Sequence, residues 1–220
     1  MEIYKSDKFK RLKIIVSKYK KLFYNNPINY IRTGKEIRRW AKNTETRSPP
    51  QPYKHKVIKL YAKKYSINIF IETGTYLGNT IEAVKKVFKD IYSIELNKAL
   101  YLKTKQRFIK NKHINIILGD SSEKLPKILS EIDKPCLFWL DAHYSGGNTS
   151  KTNVETPIIM ELKCILNHPN NNHVILIDDA RDFTGKNDYP TVPELKEIVN
   201  PYNEKVLILK EDIIRIHNKP

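Results

Sequence analysis

Disulfides do not organise this sequence. Its only cysteines, Cys136 and Cys164, fall in an apolar strand segment and on a helical segment, with no C-x-x-C and no set of pairs. This usage predicts reduced core residues in a cytoplasmic protein. No run approaches the roughly 18 to 20 apolar residues that span a bilayer. The N-terminus lacks the apolar core and small-residue cleavage site of a secretory signal. Internal repeats and low-complexity tracts are missing too, so one core-bearing domain with a modest extension is expected of 220 residues. Acids are in deficit, 24 against 40 Lys and Arg, for a net charge of +16. The imbalance is local: residues 1–50 hold 14 Lys/Arg against Glu2, Asp7, Glu36 and Glu45. The body of the chain therefore need not bind a polyanion.

What the first fifty residues do contain is a periodic pattern. Phe9, Leu12, Val16, Tyr19 and Phe23 recur every three or four positions, with Lys10, Lys13, Lys18, Lys20 and Lys21 between them. This predicts a basic amphipathic helix. Such a helix docks on an anionic membrane surface, each nearby cation adding about 1 kcal/mol. It equally packs its apolar stripe on the body or on a second subunit. A second helical segment after Pro27 turns Ile28, Ile31, Ile37 and Trp40 inward, and Thr44 to Pro52 reads as an extended linker. The expected organisation is a helical extension and linker over 1–52 and a catalytic domain over 53–220.

From Tyr53 onward the pattern alternates. A helix over Tyr53 to Tyr65 precedes strands at Ile67–Ile71, Ile91–Glu95, Ile114–Leu118, Cys136–Asp141 and His173–Ile177. Helices follow each strand in turn, one opened by Thr156-Pro157 and another by the capping box Thr191-x-x-Glu194. Val206–Leu209 and Ile213–Ile216 close the set as a hairpin. The expectation is an α/β, Rossmann-like, doubly wound and mostly parallel seven-stranded sheet.

The first strand runs into Glu72-Thr-Gly-Thr-Tyr-Leu-Gly78, and helical periodicity then resumes at Ile81, Val84, Val87 and Phe88. Ligands of such sheets lie beyond the carboxyl ends of the strands. This turn is not the dinucleotide G-x-G-x-x-G, and an acid at the strand end suits a ligand carrying a cation. The stretch resembles motif I of the class I S-adenosyl-L-methionine (SAM)-dependent methyltransferases, E/D-x-G-x-x-x-G. The resemblance implies cofactor contacts from Glu72, Gly74, Tyr76, Gly78 and Thr80. Glu95 closes the second strand about twenty residues beyond the glycine turn, where an acid accepts hydrogen bonds from ribose hydroxyls. Gly119-Asp120-Ser121 resembles the position that bonds the adenine amino group. Acids also follow strands as turn formers and N-caps, which is the alternative for Asp120.

Leu137-Phe-Trp-Leu-Asp-Ala-His-Tyr-Ser-Gly-Gly147 and Val174-Ile-Leu-Ile-Asp-Asp-Ala-Arg181 carry the most specific signal. Asp141, Asp178 and Asp179 sit at the ends of successive strands. Three carboxylates gathered there would raise one another's pKa, and a divalent cation removes the conflict. An all-oxygen set favours Mg²⁺, with Ca²⁺ or Mn²⁺ as substitutes. The alternative is that the second aspartate caps a helix or pairs with Arg181. With both segments in view, Tyr65 to Pro190 resembles the macrocin O-methyltransferase-like family and its relatives in surface-polysaccharide gene clusters. That resemblance implies SAM-dependent methylation of a sugar hydroxyl on a nucleotide sugar or cell-surface glycan. It assigns Asp141, Asp178 and Asp179 to the metal, with Asp141 also beside the cofactor. After Asp141 the chain departs from the family, with His-Tyr-Ser-Gly-Gly in place of a short acidic loop.

A sugar hydroxyl is a poor nucleophile, so a base is required. His143 is the candidate, because it titrates near neutrality, with Asp141 as ligand and second acceptor; a structural His143 is the alternative. Tyr144, Arg181 and Lys186 are candidate substrate contacts, the two cations for an anionic group. Gly146-Gly147 implies a mobile loop over the acceptor. Expected partners are a sugar or glycan, the inner face of a membrane and a second copy of the chain. An RNA methyltransferase would suit the charge, but Asp-Ala-His-Tyr lacks the prolines of [ND]-P-P-[YF], and nucleic acid is not the expected partner. A catechol-type enzyme could use the same triad, and a SAM-binding subunit without turnover is the non-enzymatic alternative.

Overall fold

A computed structural model of the chain describes residues 34–40, 48–141 and 156–219. The basic helix expected over Phe9–Phe23 lies outside the described residues, as do His143, Tyr144, Gly146 and Gly147. Chain contacts divide the protein into Met1–Pro52 and Tyr53–Pro220. In the first unit, residues 34–40 are helical, with Ile37 and Trp40 buried.

Helix α1 (Gln51–Lys64) leads into the second unit. There follow β1 (Ile69–Thr73), α2 (Asn79–Val84), β2 (Asp90–Glu95), α3 (Lys98–Arg107), β3 (Ile114–Leu118), α4 (Ser121–Leu129) and β4 (Cys136–Leu140). Then come α5 (Ile158–Leu166), β5 (Val174–Ile177), a 3-10 turn (Ala180–Asp182), α6 (Val192–Val199), β6 (Lys205–Lys210) and β7 (Ile213–Asn218). The seven strands form one sheet in the order β3-β2-β1-β4-β5-β7-β6. Strands β1 to β5 are parallel; β7 runs antiparallel to β5 and β6.

The composition of the central strands explains their place. Every residue of β1, β4 and β5 is buried, because helices cover both faces of the sheet. Strand β3 lies at an edge, and of its five residues only Ile114 is buried. Helix starts follow local chemistry. The Asn97 side chain accepts from the N–H groups of Ala99 and Leu100 at α3, and Thr191 and Glu194 form the capping box of α6.

The structure corrects the helix expected after the glycine turn. It ends at Val84 instead of continuing to Phe88. Lys89 and Asp90 N–H groups both donate to Asn68 O, so the chain must turn at once to start β2 beside β1. Phe88 then stacks on Phe70, with ring centroids 5.0 Å apart. The spacing that mimicked a helix is a turn with an inward aromatic. Among the described residues, no helix is long and apolar enough to cross a membrane.

Candidate functional site

Strand order reverses between β1 and β4, which opens a crevice beyond their carboxyl ends. Backbone bonds tie the strand tips together there. Asp141 N–H donates to Thr73 O at 3.1 Å, Asp178 N–H to Leu140 O at 3.0 Å, and Gly74 N–H to Ile94 O at 3.0 Å. The acids expected at these tips are thereby brought to one end of the sheet.

On the β1–β2 side the turn is locked onto Glu95. Tyr76 N–H donates to Glu95 Oε2 at 2.7 Å and Asn97 N–H donates to Oε1 at 2.8 Å. The backbone achieves this with left-handed conformations at Gly74 (φ 87°), Tyr76 (φ 49°) and Gly78 (φ 72°). Gly78 is obligatory for a second reason: a Cβ there would lie 2.6 Å from Phe108 Cε2. Tyr76 leaves its side chain 62% exposed at the mouth of this turn.

Glu72 sits deeper than an acid at a strand tip was expected to. It is fully enclosed, and Ser93 Oγ donates to its Oε2 at 2.6 Å. The Thr80 hydroxyl also bonds it. Burial pushes its carboxyl up to about 8, with the charges of Asp141 and Glu95 adding to the effect against the two hydroxyls. With no cation beside it, Glu72 therefore holds its proton at neutral pH. Asp120 follows the cap alternative: its Oδ1 accepts from Ser122 N–H at 2.8 Å and Ser122 Oγ at 2.7 Å, starting α4. Ser121 is buried against Glu161 of α5.

On the β4–β5 side, ligand oxygens of Asp141, Asp178 and Asp179 all lie within 4.8 Å of one another. Sequence reasoning did not anticipate what stands between two of them. Lys54, from the first turn of α1, places its Nζ 2.5 Å from Asp178 Oδ2 and 3.0 Å from Asp179 Oδ1, with only 4% of the residue exposed. Asp178 Oδ1 is also engaged, by Asp179 N–H at 2.9 Å. Burial and the Asp141 charge push the Asp178 carboxyl up to about 7 despite Lys54. Asp179 is also penalised by burial, but Lys54 and Arg181 outweigh that and hold it below the usual carboxylate range.

Arg181 is paired within the protein, while its side chain stays half exposed. Its Nη1 donates to Asp179 Oδ1 at 3.0 Å and to Asp212 Oδ2, and its N–H donates to Asp212 Oδ1 at 2.8 Å. The pairing alternative describes it. Lys186 is exposed on the loop before α6. Residues not anticipated include Tyr189 and Phe183, which meet edge-on at 5.3 Å and line the pocket holding the three aspartates. Burial pushes the Tyr189 phenol up to about 12, helped by Asp182, Asp141 and Asp179. A cavity of about 620 Å³ lies away from these acids, along edge strand β3 between α3 and α4.

No protein-family model matches the sequence, and no curated protein does either. Solved structures do match. The SAH-bound methyltransferase PaMTH1 of Podospora anserina is 15% identical, at a TM-score of 0.55 over 96% of each chain. The O-methyltransferase TomG of Streptomyces achromogenes, in complex with SAM and involved in tomaymycin synthesis, is 12% identical, at 0.57 over 94% of this chain and 95% of that one. An O-methyltransferase from Bacillus cereus in complex with SAH is 12% identical, at 0.57 over 94% and 97%. The fold is that of the class I methyltransferases. Within this methyltransferase fold, the glycine turn and Glu95 border the crevice on one side, and the three aspartates border it on the other.

Proposed function

We propose that the protein is a SAM-dependent O-methyltransferase that methylates a sugar hydroxyl, on a nucleotide sugar or a cell-surface glycan. One observation carries the reading. A turn that grips Glu95 and three carboxylates with oxygens within 4.8 Å of one another border the same crevice. The first suits a nucleoside with ribose hydroxyls and a cationic amino-acid tail; the second suits an alcohol that must be made nucleophilic.

The chain's own residues divide the work. Glu95 has acceptor capacity beyond its two backbone bonds, for ribose hydroxyls. Glu72 would lose its proton when an ammonium group comes near and so favour that tail. Gly74, Tyr76, Gly78 and Thr80 shape the donor side, with Asp120 and Ser121 at the adenine end. Asp141, Asp178 and Asp179 offer three hard oxygens, a donor set that fits Mg²⁺ or another divalent ion. When bound, such an ion lowers the pKa of a coordinated hydroxyl. His143 or Asp141 takes the hydroxyl proton as the oxygen forms its bond to the methyl carbon and the sulfonium–carbon bond breaks. Tyr144 and Lys186 face the acceptor on this reading. The basic segment before residue 50 would dock on the inner face of a membrane, where lipid-linked glycans are found, or on a second copy.

The Phe183–Tyr189 pair beside the aspartates favours one second reading, a planar catechol-type acceptor. Labelled SAM incubated with nucleotide sugars, glycan extracts and catechols, with and without Mg²⁺, tests both. Label transferred to a sugar only when Mg²⁺ is present is the expected result. SAM that fails to bind in calorimetry would sink the proposal.

A further inference from the structure

The carboxylate cluster already holds a cation of its own. Lys54 Nζ bridges Asp178 Oδ2 and Asp179 Oδ1 at 2.5 and 3.0 Å, and the remaining Asp178 oxygen accepts a backbone N–H. Lys54 is 4% exposed and Asp178 5%. A divalent ion taking the same oxygens at metal–oxygen distances of about 2.0 to 2.6 Å would stand almost on top of the ammonium. The two cations cannot share those ligands. Lys54 thus lies against Asp178 and Asp179, while Arg181 is divided between Asp179 and Asp212.

We propose that Lys54 is a tethered counter-ion of the Asp141–Asp178–Asp179 cluster, and that a divalent cation enters only by displacing it. This rests on reading the three aspartates as a cation seat. A tethered ammonium is never diluted away, so it sets a threshold that free metal must exceed. Mg²⁺ dehydrates reluctantly and is the ion most affected by such a competitor. The seat thus stays compact and partly neutralised when metal is scarce. Metal entry and release of the Lys54 side chain therefore form one event. The position of Lys54, three and four residues before Val57 and Ile58 of the buried face of α1, explains how it reaches the interior.

The test is Mn²⁺ binding to the full chain, followed by the electron paramagnetic resonance signal of free ion, for the unaltered protein, Lys54→Gln, Lys54→Arg and Asp178→Asn. Lys54→Gln should bind Mn²⁺ more than about tenfold tighter, since a unit charge within 4 Å is removed. Lys54→Arg should stay close to the unaltered chain, and Asp178→Asn should lose binding. Equal or weaker binding by Lys54→Gln, with the unaltered chain still binding, overturns the counter-ion role and leaves the seat standing. Absence of binding in both overturns the seat and the proposal together. If Lys54→Gln does not fold, lysine acylation mapped by mass spectrometry on the unaltered chain decides. Lys54 should be protected without Mn²⁺ and labelled at saturating Mn²⁺; unchanged labelling overturns the proposal.

Discussion

At the residue scale, Glu95 links architecture to ligand. Both of its oxygens accept a backbone N–H, from Tyr76 and from Asn97, so one carboxylate closes the loop after β1 and the loop after β2. Tyr76 occupies a left-handed conformation that costs a non-glycine residue roughly 1–2 kcal/mol, and its bond to Glu95 offsets this. Glu95→Ala removes the acceptor for the loop and for a ribose at once. Charge-assisted bonds of this kind are worth about 1.5–3 kcal/mol, so SAM affinity should fall by about 10- to 100-fold in calorimetry. An unchanged affinity would detach Glu95 from the cofactor. Glu95 was legible from its spacing beyond the glycine turn. Lys54 was legible only as a lysine within the helix over Tyr53 to Tyr65. Its partners lie 124 and 125 positions away, and no local pattern connects them.

At the element scale, α2 depends on how it begins. Gly78 precedes its first residue with φ 72°, and Phe108, just past the end of α3, closes over the missing side chain. Gly78→Ala combines a disfavoured backbone with a contact of 2.6 Å to an aromatic ring, and should destabilise the protein by about 1–3 kcal/mol. Denaturant melts measure the loss, and SAM binding should weaken with it because the turn and helix move together. Thr191→Ala gives the contrast. It breaks the capping box of α6, at about 1 kcal/mol, and should leave SAM affinity unchanged. Most elements could be read from apolar runs and caps. The end of α2 could not, because Phe88 at helical spacing reports burial without saying whether the chain reaches it by helix or by turn.

At the scale of the whole molecule, buried ionisable groups set the response to pH. Glu72 and Glu161 have carboxyls pushed up to about 8 and about 7 by burial, so the folded state binds their protons more tightly than the unfolded chain does. Their contribution is full at low pH and is lost as pH rises through those values. His55 and His173 are pushed down to about 4 and about 3 by burial, and their contribution is lost only as pH falls below 6.5. Between about pH 7 and 8 the raised acids, Asp178 with them, outweigh the histidines, which are by then mostly neutral in both states. The Tm of the ligand-free protein should therefore decrease across that window, and Glu72→Gln should flatten the slope. A rising Tm would contradict an enclosed, protonated Glu72.

The amino-acid sequence alone determined the alternation of strands and helices, the glycine turn, and which acids end which strands. Those properties depend on residues within a dozen positions of one another: burial on both faces makes uncharged runs, and turns and caps need particular side chains. Only the tertiary structure decided how far each acid lies from solvent and which cation or hydroxyl it meets. Glu72 faces Ser93, Asp120 gives one oxygen to a helix cap, Arg181 is shared with Asp212, and Lys54 bridges Asp178 and Asp179. Such pairings are settled by desolvation and Coulomb energy between groups the fold brings together, and neither quantity can be read along the chain.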